Sequence, residues 1–484
     1  MKYPKHPESS SLRAIVQKIA SRSPGASAVI APNGECCGYG ELLAQIDSVG
    51  VALRAWNIER TDRVALVLPN GPEVATAFLG VAAYAECAPL NPAYTRDELE
   101  FYLTDLKAKA LVVAANGSSP AREVAETLGL KVINLETSAQ HAGSFILRGA
   151  SADEPNPPNN DWGRDDEIAL VLHTSGTTSR PKQVPLSHAN LCASASNVAE
   201  VIALSNTDSC LNVMPMFHIH GLVGVLLASL HAGGSVVCSN GYDPRTFPAL
   251  IKDFKPTWFS AVPTIHQAIL ALAKEDSTVT FGKHLRFIRS SSSALPPSVM
   301  AEMEDAFGVP VIESYGMTEA AHQMASNPLP PAERKPGTVG LPAGPKMAIM
   351  DRAGGMLPVG ETGEIVISGS NVMAGYVNNV DANEAAFTDG WFRTGDLGYA
   401  DRDGYFYITG RTKEMINRGG ENISPREIDE RLLEHTAVAQ AVAFAVPHKS
   451  LGQDVAAAVV LHGGEKLYCR ALSFVILKEL KFES

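Results

Sequence analysis

Val64-Ala65-Leu66-Val67-Leu68-Pro69-Asn70-Gly71-Pro72 runs from five apolar residues into a four-residue turn, and Glu73 to Tyr84 follows with the pattern of a helix. The unit recurs. Leu211 to Met214 leads through an apolar helix, Gly221 to Leu230, to a strand at Ser235 to Cys238. Phe259 to Val262 precedes a helix at Ile265 to Ala273, and Arg286 to Arg289 precedes one at Ser298 to Phe307. Successive strand–helix units predict an α/β protein with parallel sheets covered by helices. Ligands in such sheets bind at the carboxyl ends of the strands. Upstream, Leu12, Ile15, Val16 and Ile19 are spaced as one helix face. Ser151 to Asp166, rich in Pro, Asn and Asp, reads as an exposed connector. Beyond Pro336 the chain turns to short alternating strands, such as Gly363 to Gly369.

The length of 484 residues exceeds what one core supports and argues for at least two domains. A net charge of −12 argues against general binding to nucleic acid or an anionic membrane, while leaving room for a small basic pocket around a phosphate. The seven cysteines form no C-x-x-C pair, the pattern of reduced, structural thiols in an intracellular protein. Met1 to Ser11 is polar and lacks the apolar core of a signal peptide. The longest apolar stretch, Gly221 to Leu230, is too short to span a bilayer. The final Phe482-Glu483-Ser484 is no peroxisomal address. A soluble, cytoplasmic protein is expected, peroxisomal only in a longer form carrying its own signal.

Four segments carry chemistry. In Thr174-Ser175-Gly176-Thr177-Thr178-Ser179-Arg180-Pro181-Lys182 a strand, Ile168 to Leu172, opens into hydroxyls, one Gly and a Lys. Those donors suit a polyphosphate, although the Walker pattern is missing. In Ser314-Tyr315-Gly316-Met317-Thr318-Glu319 a strand ends in a turn that presents a hydroxyl beside a carboxylate, suited to a phosphate oxygen and Mg²⁺. In Trp391-Phe392-Arg393-Thr394-Gly395-Asp396 an aspartate at a strand edge can accept from a ribose diol. The fourth joins Gly410-Arg411-Thr412-Lys413 to Arg418-Gly419-Gly420 and offers a phosphate- or ribose-binding Arg and a glycine pair open to close approach. Alone, each has a plainer reading: a surface loop, a helix N-cap, an Asx turn and a turn-rich junction.

In this order and spacing the four segments resemble the signature motifs of the adenylate-forming superfamily of AMP-dependent acid–CoA ligases, over about Leu12 to Leu461. Phe217-His218-Ile219-His220-Gly221, Thr178 to Lys182 and Met324 to Pro330 are most similar to oxalate–CoA ligases. The resemblance implies an N-terminal domain over residues 1–410, with two βα sheets and a small β-barrel-like subdomain, and a swinging α+β domain over 411–484. It implies a two-step reaction in which ATP, Mg²⁺ and a carboxylic acid give an acyl-adenylate, which CoA converts to a thioester. Carried over by position, Thr174, Ser175, Gly176, Thr177, Thr178 and Lys182 cradle the phosphates. Thr318 contacts the α-phosphate and Glu319 holds Mg²⁺. Asp396 and Arg411 serve the ribose and its neighbours. Ser292, Ser293 and Ala294 line the adenine, with Tyr315 as a stacking surface. Lys413 is the hinge, and Gly419 and Gly420 line the pantetheine tunnel. His218, Ser292 and His322 line the acyl pocket, with His218 counted beside Thr318 and Glu319 among the catalytic groups. Two imidazoles and several hydroxyls suit a second carboxylate, so oxalate or another short dicarboxylate is expected. The plainer readings are a gate position for His218 and an exposed helix residue for His322.

The chain departs from the family's pattern at Ser179 and Gln183, where Gly is frequent; Gln183 is expected to stiffen the loop. It departs again after Leu461. The resemblance implies a terminal Pro-Lys-x-x-x-Gly-Lys loop whose lysine serves adenylation, whereas the chain reads Gly463-Gly464-Glu465-Lys466-Leu467-Tyr468. Lys478 and Lys481 lie in an apolar, helix-like stretch and do not match. A truncated second domain and impaired adenylation are therefore expected, with thioester formation from a supplied adenylate retained. The alternatives are a non-catalytic nucleotide-binding pseudoenzyme and a ligase for medium-chain or aromatic acids.

Overall fold

The computed structural model describes residues 11–117, 119–149, 162–174, 181–275, 283–433, 435 and 437–461. Much of the proposed phosphate loop (Ser175, Gly176, Thr177, Thr178), most of the connector and the tail with Lys478 and Lys481 lie outside the described residues. The chain forms two compact units: Met1–Lys346 with Gly369–Glu384, and Met347–Ser368 with Ala385–Ser484.

The first unit holds two large sheets. A seven-stranded sheet runs in space Phe145–Gly149, Lys131–Thr137, Ala110–Ala114, Arg63–Val67, Glu86–Pro89, Ile168–His173, Gln183–Ser187. Its inner strands are parallel and its two edge strands antiparallel. A nine-stranded sheet has five parallel strands in the order Val311–Met317, Phe287–Ser290, Trp258–Ala261, Ser209–Asn212, Ser235–Cys238. Ser27–Ile30 extends it in parallel, and antiparallel strands close both edges. The parallel strands are buried on both faces because helices cover both, and most of their residues are apolar. On one face Leu211, Phe259, Ile288 and Val311 pack against Phe247, Met303 and Phe307.

The predicted strand–helix units are present, and local chemistry sets their ends. Leu12–Ala20 starts where the Ser11 hydroxyl accepts from the Ala14 amide, and it buries Leu12, Val16 and Ala20 on one stripe. Pro297–Phe307 begins at a proline pair and ends at Gly308, whose φ of +69° an L side chain adopts poorly. The expected helix Gly221 to Leu230 is instead a π-helix, His220–Leu227, followed by one α-turn, Ala228–His231. Every residue of the π-helix is buried. Its wider turn accommodates a crowded neighbour, since a Cβ on Gly224 would come within 2.5 Å of the His322 ring.

The second unit contains an open sheet: Lys346–Met350, Gly363–Ser368, Trp391–Ala400, Phe387–Thr388, with Phe406–Arg411 also on Trp391–Ala400. The barrel-like subdomain is thus an open sheet among the described residues. A second sheet of four strands, Glu421–Ile423, Ile416–Arg418, Gly452–Leu461 and Val438–His448, packs Ile416, Ile423 and Ala443 against Ile428 and Leu432 of the helix Pro425–Leu433.

Phe259 lies between the rings of Phe247 and Phe307, at 5.5 and 5.9 Å. Phe259→Ala is expected to destabilise the first unit by about 3–5 kcal/mol. Urea unfolding reads this as a lower midpoint at unchanged slope; a loss below about 1 kcal/mol would show that the site collapses freely.

Candidate active site

The strand Ile168–His173 turns back into Gln183–Ser187, with His173 opposite Gln183. One further step along that ladder, the Thr174 amide donates to the Lys182 carbonyl (2.9 Å), and the Lys182 amide donates to Thr174 Oγ1 (3.2 Å). The first and last residues of the proposed phosphate loop are therefore clamped together. Gln183 fixes the base of this hairpin. Its amide donates to both the carbonyl and the carboxylate of Asp105, each at 2.7 Å, and accepts from Arg63 at 2.7 Å. Arg63 is paired with Glu86 (2.8 Å), and the Asp105 carboxylate also meets His173 Nε2 (2.9 Å). The side chain that replaces the frequent glycine thus bonds the hairpin to two neighbouring segments. Its own carbonyl accepts from the Val377 amide (3.2 Å), which draws in the segment carrying Tyr376.

Tyr376 joins two of the predicted groups. Lys182 Nζ sits 4.3 Å from the centre of its ring, and its hydroxyl donates to Glu319 Oε1 at 2.8 Å. Burial, then the Glu319 charge, raises the Tyr376 pKa, so the hydroxyl stays a donor. Glu319 is buried in the single 3₁₀ turn Thr318–Ala320, between the antiparallel strands Val311–Met317 and His322–Ser326. The strand runs four residues beyond the expected end at Glu313, and the turn still presents Thr318 and Glu319. Gly316 is required there, because a Cβ would lie 1.6 Å from the His322 carbonyl oxygen.

His322 is buried at the head of a strand with φ +100°, in contrast to the exposed helix position of its plainer reading. Its Nε2 lies 3.0 Å from Arg289 Nη2. Arg289 is fully buried in Phe287–Ser290. Its Nη2 also donates to Gln323 Oε1 (2.8 Å) and its Nη1 to Ser260 Oγ (3.3 Å). Among the described residues no carboxylate pairs with it. Burial pushes its pKa down to about 9, which leaves it charged at neutral pH. His220 stacks on His322 with ring centres 5.1 Å apart and bridges Ser260 (2.7 Å) to Ser292 (3.0 Å). Burial first, then Arg289, drives the pKa of both imidazoles well below the usual histidine value, so both are neutral. Ser292 is exposed with φ +75°, and Ser293 and Ala294 beside it are exposed. Tyr315 lies in Val311–Met317, opposite Ala325. His218 stands exposed, two residues before the imidazole that reaches Ser292. Sequence reasoning passed over Arg289, His220 and Tyr376. A charged residue following Phe287-Ile288 in a buried strand and preceding four serines was the available signal for Arg289.

In the second unit Asp396 is buried within Trp391–Ala400, and Arg411 Nε meets its Oδ1 at 2.9 Å from the paired strand. The Asx turn is thereby replaced by a cross-strand ion pair. Lys413 is exposed on the turn after Phe406–Arg411, and Gly419 and Gly420, at φ +65° and +103°, turn Ile416–Arg418 into Glu421–Ile423.

Comparison with known proteins bears on this arrangement. The family described as AMP-binding enzyme matches residues 16–377, and the AMP-binding enzyme C-terminal domain matches 427–481. The chain belongs to the AMP-binding enzyme family. Among its relatives is an oxalate–CoA ligase of Arabidopsis thaliana, 46% identical over 413 residues, 84% of this chain and 80% of that protein. An oxalate–CoA ligase of Saccharomyces cerevisiae is 43% identical over 445 residues, 87% of this chain and 81% of that one. The ATP-bound structure of MatB from Rhodopseudomonas palustris superposes with a TM-score of 0.87 at 29% identity, covering 98% of this chain and 93% of that one. As an AMP-binding enzyme with these relatives, the protein is an AMP-forming acid–CoA ligase. No helix among the described residues is long and apolar enough to cross a membrane.

Gln183→Ala removes three hydrogen bonds at the hairpin base and is expected to cost about 1–3 kcal/mol of stability in urea unfolding. Calorimetric titration with ATP is expected to show weaker binding. Unchanged affinity would show that the hairpin keeps its place without the amide.

Proposed function

We propose that the acid this ligase activates is oxalate or another short dicarboxylate. The observation that carries the reading is the buried, carboxylate-free Arg289 behind His322, His220 and Ser292, at the carboxyl ends of the parallel strands. A guanidinium held out of water makes its surroundings favourable to an anion and costly for an alkyl or aryl tail. The neighbouring groups are polar and would stay incompletely paired against hydrocarbon. The two oxalate–CoA ligases among the relatives support the same reading.

In this reading Thr174 and Lys182 hold the phosphates of ATP, and the clamped hairpin keeps the ammonium pointed at them. Thr318 donates to the α-phosphate. The Glu319 carboxylate, oriented by Tyr376, suits Mg²⁺, which takes one or two carboxylates and keeps substrate oxygens and water for the rest of its shell. Among the described residues no cluster of three or more His, Cys, Asp or Glu offers a fuller protein cage. The ion would supply neutralisation of phosphate charge when the acid oxygen attacks. The roles of Asp396 and Arg411 toward ribose, of Lys413 as hinge between 1–410 and 411–484, and of Gly419 and Gly420 toward pantetheine belong to the same proposal. CoA is the second acceptor.

Acid-dependent ATP–pyrophosphate exchange tests the proposal, with oxalate, malonate, hexanoate and 4-coumarate in parallel and thioester formation from supplied oxalyl-adenylate as a second arm. Whatever exchange occurs is expected with oxalate or malonate alone, weak where adenylation is impaired, with thioester formed from oxalyl-adenylate in the second arm. Exchange with hexanoate or 4-coumarate would overturn the dicarboxylate reading, and ATP binding with silence in both arms would indicate a nucleotide-binding scaffold. His322→Ala is expected to weaken use of a dicarboxylate more than of a monocarboxylate; equal effects would remove His322 from the acid pocket.

A further inference from the structure

We propose that Arg289 is a positioning residue that sets the tautomers of both His322 and His220, so that the acid pocket presents hydrogen-bond donors where the substrate's distal carboxylate sits. The inference rests on the dicarboxylate reading above and deepens it. It follows from donor counting. A guanidinium only donates, so the Arg289 Nη2–His322 Nε2 contact of 3.0 Å requires a lone pair on Nε2. The neutral His322 ring then carries its hydrogen on Nδ1, which has no hydrogen-bond partner among the described residues.

The second path runs through Ser260, whose side chain is fully buried. Its Oγ accepts from Arg289 Nη1 and lies 2.7 Å from His220 Nε2, and these are its two hydrogen-bond neighbours. If His220 donated from Nε2, the Ser260 hydroxyl hydrogen would have no acceptor in a site closed to water, which is costly. The satisfied arrangement has Ser260 donating to Nε2 and His220 donating from Nδ1 to Ser292 Oγ at 3.0 Å. The exposed Ser292 hydroxyl is then left with its own hydrogen to donate outward.

Both paths start at one guanidinium and end in a donor, Nδ1–H of His322 and Oγ–H of Ser292. A carboxylate, which only accepts, satisfies both donors at once; a hydroxyl or amide finds no acceptor at His322 and at most one free lone pair on Ser292 Oγ. The stacking of the two rings and the close fit of Gly224 against His322 prevent the imidazole from flipping to exchange its nitrogens.

Two measurements test this on the full chain. The first is ring-¹⁵N NMR of histidine-labelled protein, with His220 and His322 assigned by single substitution. The expected result is the Nδ1–H form at both, changing to mixed tautomers in Arg289→Met and at His220 alone in Ser260→Ala. The second is steady-state kinetics. Arg289→Met is expected to raise the KM for oxalate by about tenfold or more, with the KM for ATP changed by less than about twofold. Ser260→Ala, a small change less prone to disturb folding, is expected to raise the oxalate KM by a smaller factor in the same direction. Nε2–H tautomers in the unaltered protein, or equal effects on oxalate and ATP, would overturn the proposal. If oxalate were not the substrate, the kinetic arm would fall silent while the NMR arm would still decide the tautomers.

Discussion

Burying a positive charge without a counter-charge is among the least favourable arrangements in a protein interior. The first unit does this at Arg289, in the middle of a nine-stranded sheet. The strand could not place a guanidinium there unless Ser260, Gln323 and His322 each took one of its hydrogens. Those acceptors in turn impose conditions on the chain. His322 must sit with a positive φ at the head of its strand, Gly316 must lack a side chain so that the His322 carbonyl can pass, and Gly224 must lack one so that the ring can lie flat beside the π-helix. A π-helix rather than an α-helix follows naturally where a ring has to be fitted against a fully apolar segment. The constraint at one side chain thus accounts for the positive φ of His322, the glycines Gly316 and Gly224 and the π-helix.

The hairpin that ends in Thr174 and Lys182 is organised differently. There Arg63 is paired with Glu86 and the Asp105 carboxylate with the His173 ring, which burial keeps neutral, and a neutral amide, Gln183, links one pair to the other. Such a link adds hydrogen bonds without adding net charge, so the ammonium of Lys182 is not opposed by a new neighbour. A glycine at this position would leave the pairs unjoined.

Much of the scaffold was legible because its strands are buried on both faces and therefore read as unbroken apolar runs. Ser235–Cys238 and the helix Pro297–Phe307, with its proline start and glycine stop, are examples. The family motifs named Thr318, Glu319, Lys182 and Ser292 as candidates from the sequence alone. The acid pocket was less legible. His218 and His220 lie two residues apart just before the same apolar run, and only the fold shows which imidazole faces Ser260. Arg289 read as one more residue of a strand, since its partners Ser260, His322 and Gln323 come from two other strands, 29 to 34 residues away. Tyr376 lies in a loop whose pattern is unremarkable until the excursion Gly369–Glu384 is seen to return to the first unit. The openness of the sheet around Trp391–Ala400 was likewise hidden, because barrel closure depends on which edges pair and not on the strands themselves.

Glu319 and His322 are separated by one tight 3₁₀ turn, and both are immobilised, the first by Tyr376 and the second by Arg289. A turn so short has no slack to absorb a displacement at either end. Under the proposed roles of Glu319 and His322, acid choice and nucleotide alignment become mechanically one variable. A lineage that reshapes the pocket for a bulkier acid must either re-fit the turn as a whole or accept a misplaced carboxylate beside the phosphates. Substrate drift in such a scaffold is expected to proceed by concerted replacements on both sides of Ala320 and Ala321, and not by single exchanges at the pocket wall.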